Sequence, residues 1–337
     1  MKVLIIRFSS IGDIVLTTPV IRATKEQVPN VEVHFCTKQQ YASILTDNPY
    51  LDKLHLLREN GLSALVKTLK KEKFDFIIDL HNNLRTAIIK LQLRRPSKAF
   101  DKLNFKKWLL VKFKLNLLPS VHIVDRYFQT AAPIGVIPDD KGLDFFIPER
   151  DKIDPEWLPV GFRESYVAVV VGAKFATKRL PFKRLVELCD RINRPIILLG
   201  GKEDTDIGEK VEAFFDTSHV NEQTEKTLQK ELNKRTTIFN GCGKFNLNQS
   251  AYLLKNAQAV FTHDTGLMHI AAAFQKPIYS IWGNTTPYFG MYPYKTKFII
   301  FENNDLDCRP CSKIGFGTCP KGHFKCMNDV KFDFYLE

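Results

Sequence analysis

The chain opens on Val3-Leu4-Ile5-Ile6, a fully apolar run too short for a helix and without polar alternation, and the pattern restarts at Tyr166-Val167-Ala168-Val169-Val170-Val171. Strands buried on both faces belong to parallel sheets covered by helices on each side. Further apolar runs follow each opening: Val31 to Cys36, Lys53 to Leu57 and Phe74 to Leu80 in the first half, then Pro195 to Leu199 and Ala257 to Phe261 in the second. Helical stretches between them, including Ile14 to Val28, where Pro19 marks either a kink or the helix's real start, and Phe182 to Ile192, complete a βαβ alternation. Length fits this reading, because 337 residues suffice for two cores. The Pro- and charge-rich stretch from Ile147-Pro148 to Leu158-Pro159 marks the boundary. The expected units are residues 1–150, 151–307, and a Cys-rich tail over 308–337.

In open α/β sheets ligands gather at the carboxyl ends of the strands, so the polar residues that follow each run are the candidates. Asp13 closes the loop after the first strand, where it either caps the next helix or faces the ligand edge. His81-Asn82-Asn83-Leu84-Arg85 occupies the same place after Phe74 to Leu80. In the second half, Gly172 to Pro181 is a glycine turn with Lys174, Lys178 and Arg179, and Lys178 is placed to reach a phosphate. It is not a P-loop, since no Gly-Lys-Ser/Thr ending is present. Glu203, after Pro195 to Leu199, either accepts from ribose hydroxyls or supplies charge to a helix start. The densest candidate is His263-Asp264-Thr265-Gly266-Leu267-Met268-His269. Asp264 and Thr265 are expected to cap the following helix, and Gly266 to let an anion approach first-turn amides.

Forty-nine Lys and Arg against 37 Asp and Glu give a net charge of +12, which favours an acidic partner: nucleic acid, anionic lipid or a phosphorylated glycan. No nucleic-acid module is recognisable. From Arg85 to Lys114 the only acid is Asp101, and basic residues interleave with Phe105, Trp108, Leu109, Leu110, Phe113 and Leu115. This segment reads either as a helix on an anionic membrane surface or as a solvated helix with its apolar stripe packed on the sheet. No cleavable leader or membrane span is visible, so a cytoplasmic protein is expected. Seven cysteines argue for reduced thiols. Cys308, Cys311, Cys319 and Cys326, with His323, suggest zinc, yet their spacings match no common finger, and packing thiols or a reversible disulfide are the competing readings.

Together these motifs resemble one family. Ser9-Ser10-Ile11-Gly12-Asp13 with Thr17-Thr18-Pro19, Asp79-Leu80-His81 with Arg85-Thr86, Gly172-Ala173 with Thr177-Lys178-Arg179 and Pro181, and the His263 to His269 stretch are similar, in order, to glycosyltransferase family 9. That family contains the ADP-heptose:lipopolysaccharide heptosyltransferases. The tail, Cys319-Pro320 through Cys326-Met327, also resembles a common family ending. The resemblance implies a GT-B fold of two Rossmann-like domains with parallel sheets facing across a cleft. It also implies an inverting transfer of heptose from ADP-heptose to a lipid A-Kdo type acceptor, needing neither metal nor cofactor, at the inner face of a membrane.

Residue by residue, the resemblance makes Asp13 the base, with Ser10, Gly12, His81 and Arg85 toward the acceptor. Lys178 would neutralise the diphosphate, Glu203 would hold the ribose, and Asp264, Thr265, Gly266, Leu267 and His269 would hold the rest of the donor. His81-Asn82-Asn83 stands where better-known members carry Gln-Gly, and Arg85 replaces a frequent Lys, which points to a differently tuned acceptor site. A UDP- or GDP-sugar enzyme, including an epimerase, and a non-catalytic binder of nucleotide-sugar or anionic lipid are the alternatives.

Overall fold

A computed structural model describes residues 1–59, 61–216 and 235–336. Its first half builds a sheet from β1 (Lys2–Ile6), β2 (Glu32–Lys38), β3 (Lys53–Leu57), β4 (Phe76–Asp79) and β5 (Ser97–Ala99), in the order β3-β2-β1-β4-β5. All its pairings are parallel, and β1 sits centrally with Val3, Leu4, Ile5 and Ile6 fully buried. The second half contains β6 (Val167–Val170), β7 (Pro195–Leu199), β8 (Thr237–Asn240), β9 (Val260–His263), β10 (Ile278–Trp282) and β11 (Phe298–Glu302). Its order is β11-β10-β9-β6-β7-β8, again all parallel. Each sheet therefore reverses its winding beside its first strand, between β1 and β4 and between β6 and β9. A crevice opens at such a switch point, outside the carboxyl ends of the strands.

The segment Ile14 to Val28 is not one helix. It divides into α1 (Ile11–Val15) and α2 (Thr18–Gln27), because a proline inside a helix clashes with the carbonyl four residues back, which for Pro19 is that of Val15. The hydroxyls of Thr17 and Thr18 take the freed carbonyls of Ile14 and Val15 at 2.6 and 2.8 Å. The other first-half helices are α3 (Leu62–Glu72), α4 (Leu84–Leu93), α5 (Asn104–Phe113) and α6 (Ile123–Ala131). In the second half lie α7 (Phe182–Ile192), α8 (Thr205–Phe215), α9 (Leu247–Asn256), α10 (Gly266–Ala273) and α11 (Lys325–Asn328).

The two halves share a buried apolar cluster that runs from Ile14 and Val15 through Tyr127 to Met268, Ile270 and Trp282. They come closest where α1 meets α10. A Cβ on Gly12 would lie 2.6 Å from the His269 ring, and one on Gly266 would lie 2.7 Å from Ile11. Only glycine permits that approach at either position. Three short 3-10 turns, Glu149–Asp151, Pro155–Trp157 and Val160–Phe162, carry the chain between the sheets. Cys326, Met327, Val330 and Phe332 of the tail are buried against the second sheet's core.

Helix α5 overturns the packed-stripe reading of the basic segment. Leu110 is its only buried residue, whereas Phe105 and Phe113 are 70% and 60% exposed and Trp108 stacks on Phe105 in solvent. On α4, Leu84, Ile88 and Leu91 recur at helical spacing and are exposed as well. No helix among the described residues is long and apolar enough to cross a membrane.

Candidate active site

At the first switch point, Arg7 leaves the end of β1 and turns back beneath the loop. Its Nε donates to the Ser9 carbonyl at 2.8 Å, its Nη1 to that of Leu80 at 2.5 Å, and its Nη2 meets Asp13 Oδ1 at 2.5 Å. Asp13 Oδ2 accepts from the Ser10 amide at 3.0 Å and the Ser10 hydroxyl at 2.7 Å. Asp13 thus does cap α1, as a capping-box carboxylate, and also faces the switch point. Burial pushes its carboxyl up, but the Arg7 guanidinium and the two Ser10 bonds outweigh this and hold it below the usual carboxylate range.

Asp79, fully buried at the end of β4, is a bracket. Its Oδ1 accepts the amides of His81 and Asn82 at 3.1 and 2.7 Å, and Lys90 reaches its Oδ2 at 2.8 Å. The His81 ring set by this turn packs edge-on against Phe8, with a buried Nδ1 that has no protein partner. Burial, and then the Arg7 charge, push the imidazole down to about 4, so His81 is neutral at physiological pH. Arg85 stands exposed in the first turn of α4. No motif singles out Arg7 as a site residue, and Lys102 and Lys107 of the basic segment lie close enough to feel both Arg7 and Asp13. Burial and the neighbouring Arg126 push Lys107 down to about 8.

At the second switch point, Lys178 Nζ lies 2.5 Å from Asp264 Oδ2 and 3.3 Å from the Asp264 carbonyl. Thr285 also donates to Asp264 Oδ2, at 3.1 Å. The expected caps of α10 are therefore not made. Asp264 turns to Lys178, and Thr265, though at the N-cap, makes no side-chain cap bond and lies 3.4 Å from the Thr262 hydroxyl. For Asp264 the reason is electrostatic: the lysine ammonium brings a full opposite charge, which an amide dipole does not. First-turn amides from Gly266 and Leu267 are left unclaimed by either side chain, in a helix whose dipole favours anions.

His269 lies between the two points, buried against Gly12 with its Nδ1 unpartnered. Burial pushes it down to about 4 against the opposing fields of Asp264 and Asp13. Glu203 is exposed after β7, and its neighbour Asp204 is the buried carboxylate, accepting from the Gly201 amide at 2.9 Å with Arg179 at 3.3 Å. His263 Nε2 accepts the Leu180 amide at 3.0 Å and so ties the Lys178 loop to β9.

Two parallel sheets that meet at their switch points, one offering a held carboxylate and the other a cation beside free helix amides, suit group transfer from a nucleotide. The profile of glycosyltransferase family 9 (heptosyltransferase) matches residues 62–316. The chain belongs to that family. It is a glycosyltransferase, and its two parallel-sheet domains form the GT-B fold. Lipooligosaccharide heptosyltransferase 2 of Haemophilus influenzae is 26% identical, over 86% of this chain and 85% of the relative. Lipopolysaccharide heptosyltransferase 1 of Campylobacter coli is 24% identical, over 86% and 85%. A family 9 glycosyltransferase from Veillonella parvula superposes with a TM-score of 0.69 at 20% identity, covering 89% of this chain and 86% of that one. ADP-heptose lipopolysaccharide heptosyltransferase II of Escherichia coli gives 0.65 at 18%, covering 98% of each.

In this family 9 chain the tail cysteines form no disulfide. Cys311 Sγ donates to the Cys308 carbonyl at 3.0 Å, and Cys308 Sγ lies 3.8 Å from His323 Nε2. Three metal-ligating atoms gather within 4.8 Å of one another at His34, His55 and Glu72 and not among these cysteines, within the described residues. At that cluster, Lys53 lies 2.5 Å and Lys2 3.4 Å from the Glu72 carboxylate, and the two imidazoles bond each other at 3.0 Å.

Proposed function

We propose that the chain transfers a heptose from ADP-heptose to a lipid-linked inner-core acceptor, with inversion at the anomeric carbon and without a divalent metal. The observation that carries this is the meeting of the Arg7–Asp13 pair and the Lys178–Asp264 pair across the Gly12–Gly266 contact. The names of the relatives supply the donor and acceptor classes.

In this reading the acceptor hydroxyl oxygen attacks the anomeric carbon. The bond from that carbon to the diphosphate breaks, and its electron pair leaves with the phosphate oxygen. The hydroxyl proton passes to Asp13. A carboxylate held ionised by Arg7 is a weak base, so it takes the proton late, once the new C–O bond has made the hydroxyl acidic. Charge that develops on the diphosphate meets Lys178 and the amides of Gly266 and Leu267, which do the work a metal does elsewhere. Arg85, Lys102 and Lys107 supply the positive field for an anionic acceptor, and Ser10 and His81 line its approach. Glu203 takes the ribose and His269 backs the donor sugar. Residues 1–150 form the acceptor domain and 151–307 the donor domain.

Transfer assayed from ADP-heptose to a lipid A-Kdo fragment in excess chelator tests this. Product of inverted configuration is expected at an undiminished rate; retained configuration, or a rate abolished by chelator, refutes it. Binding of UDP or GDP in preference to ADP removes the heptose assignment while leaving the fold. The exposed aromatic face of α5, flanked by Lys106 and Lys112, is proposed to rest on the anionic inner leaflet. Co-sedimentation with phosphatidylglycerol vesicles that falls as salt rises is expected, and binding indifferent to salt counts against it.

A further inference from the structure

The tail segment 308–316 carries no role in the reading above, yet it touches two of the loops around the donor cation, the one after β10 and the one that carries Lys178. Arg309, with a side chain only 4% exposed, donates from Nε to the Gly283 carbonyl at 2.6 Å and from Nη2 to the Thr285 carbonyl at 2.9 Å. The Cys311 amide takes the carbonyl between them, that of Asn284, at 2.9 Å. Three consecutive carbonyls of the loop after β10 are thus fixed by the tail, and Glu302 neutralises Arg309 at 2.7 Å. Thr285, held in this way, is the residue whose hydroxyl donates to Asp264.

The same segment grips the other side of the site. Phe316 donates its amide to the Thr177 hydroxyl at 2.8 Å, and its carbonyl accepts the Thr177 amide at 3.2 Å and hydroxyl at 3.1 Å. Thr177 immediately precedes Lys178 and is buried. Both partners of the Lys178–Asp264 pair are therefore anchored to one short piece of chain. That piece is in turn tied to the first half. Lys114, at the end of α5, donates to the carbonyls of Cys308 and Pro310 at 3.0 and 2.8 Å, on either side of Arg309, and to Val111 of its own helix at 3.0 Å.

We infer that residues 308–316 are a strap that positions the donor cation and couples it to the seat of α5. Thr285 and Thr177 are its positioning residues, and Lys114 is its anchor in the acceptor half. The inference rests on the proposed role of Lys178 toward the diphosphate. Physically, Lys178 has a long stem with many rotamers, and a cation is useful to a transition state only when it is already in place. A neighbour fixed from both flanking loops supplies that placement, and the lysine clasp makes it sensitive to where α5 lies.

The test is a double-mutant cycle on the full chain with Thr285→Val and Lys114→Met, reading donor KM, acceptor KM and kcat, with ADP affinity by calorimetry. Thr285→Val is expected to raise donor KM about tenfold, in line with the loss of one charge-assisted bond, with Thr285→Ser restoring it. Lys114→Met is expected to raise donor KM about threefold, although it touches no donor group, and the two changes are expected to combine less than multiplicatively. Multiplicative effects, or a donor KM unmoved by Lys114→Met, overturn the strap. Lys178→Ala separates the two claims. If it leaves ADP affinity unchanged, the donor-site reading falls. If it weakens ADP at least tenfold while Thr285→Val does not, the strap alone falls.

Discussion

The two switch points carry the same pair of charges with the roles exchanged. At the first, the cation is the fixture: Arg7 is committed to two backbone carbonyls and a carboxylate, and Asp13 is the group proposed to react. At the second, the carboxylate is the fixture: Asp264 is held by Thr285 and holds Lys178. In the proposed reaction one GT-B half thereby receives a proton and the other receives negative charge. Guanidinium suits the first task because it stays charged and offers several fixed donors, while a lysine suits the second as a compact point charge.

The comparison breaks most visibly at Asp13. Asp13→Ala is expected to lower kcat by about 10²–10⁴, the range for loss of a general base, with ADP affinity unchanged. Retained transfer would remove Asp13 from the mechanism. Next comes Lys178→Ala, expected to reduce ADP affinity about 10- to 100-fold together with kcat, because it also leaves the Asp264 charge facing the diphosphate. Adding Asp264→Asn should recover part of the affinity, and no recovery would mean that Asp264 is not the fixture. The smallest effect is one of pH. Lys107 is pushed down to about 8, so it carries its charge below that value and loses it above. Acceptor KM is expected to rise severalfold between pH 7 and pH 9 while donor KM stays level; parallel changes in both would place Lys107 outside the acceptor field.

The parts of this architecture that depend on local pattern were readable in advance. Apolar runs at Val3 and Tyr166 announced two parallel sheets, and the polar residues behind them marked the strand ends that meet. Pro19 signalled a helix boundary, though only the structure shows that the helix begins again at Thr18. What escaped was the choice of partners across long separations. Nothing near Asp264 in sequence says that its carboxylate will leave the helix start for a lysine 86 positions away. Arg7 was visible as a charge ending an apolar strand, but its purpose depends on Leu80, which only the sheet order brings beside it. Glu203 and Asp204 are adjacent carboxylates, and which one turns inward is decided by Gly201 and Arg179. The α5 segment had the composition of both a packed helix and a surface one, and exposure of Phe105, Trp108 and Phe113 chooses between them.

Under the proposed membrane seat, that exposed aromatic face also changes what concentration means for the protein. With α5 seated in a leaflet as proposed, a lipid acceptor would not need to be lifted into water, and the search for it would run over a plane. The rate then follows acceptor molecules per unit area. Diluting the acceptor with neutral lipid would slow the reaction even when the amount in the tube is constant, and crowding the surface with other basic proteins would compete without touching the catalytic cleft.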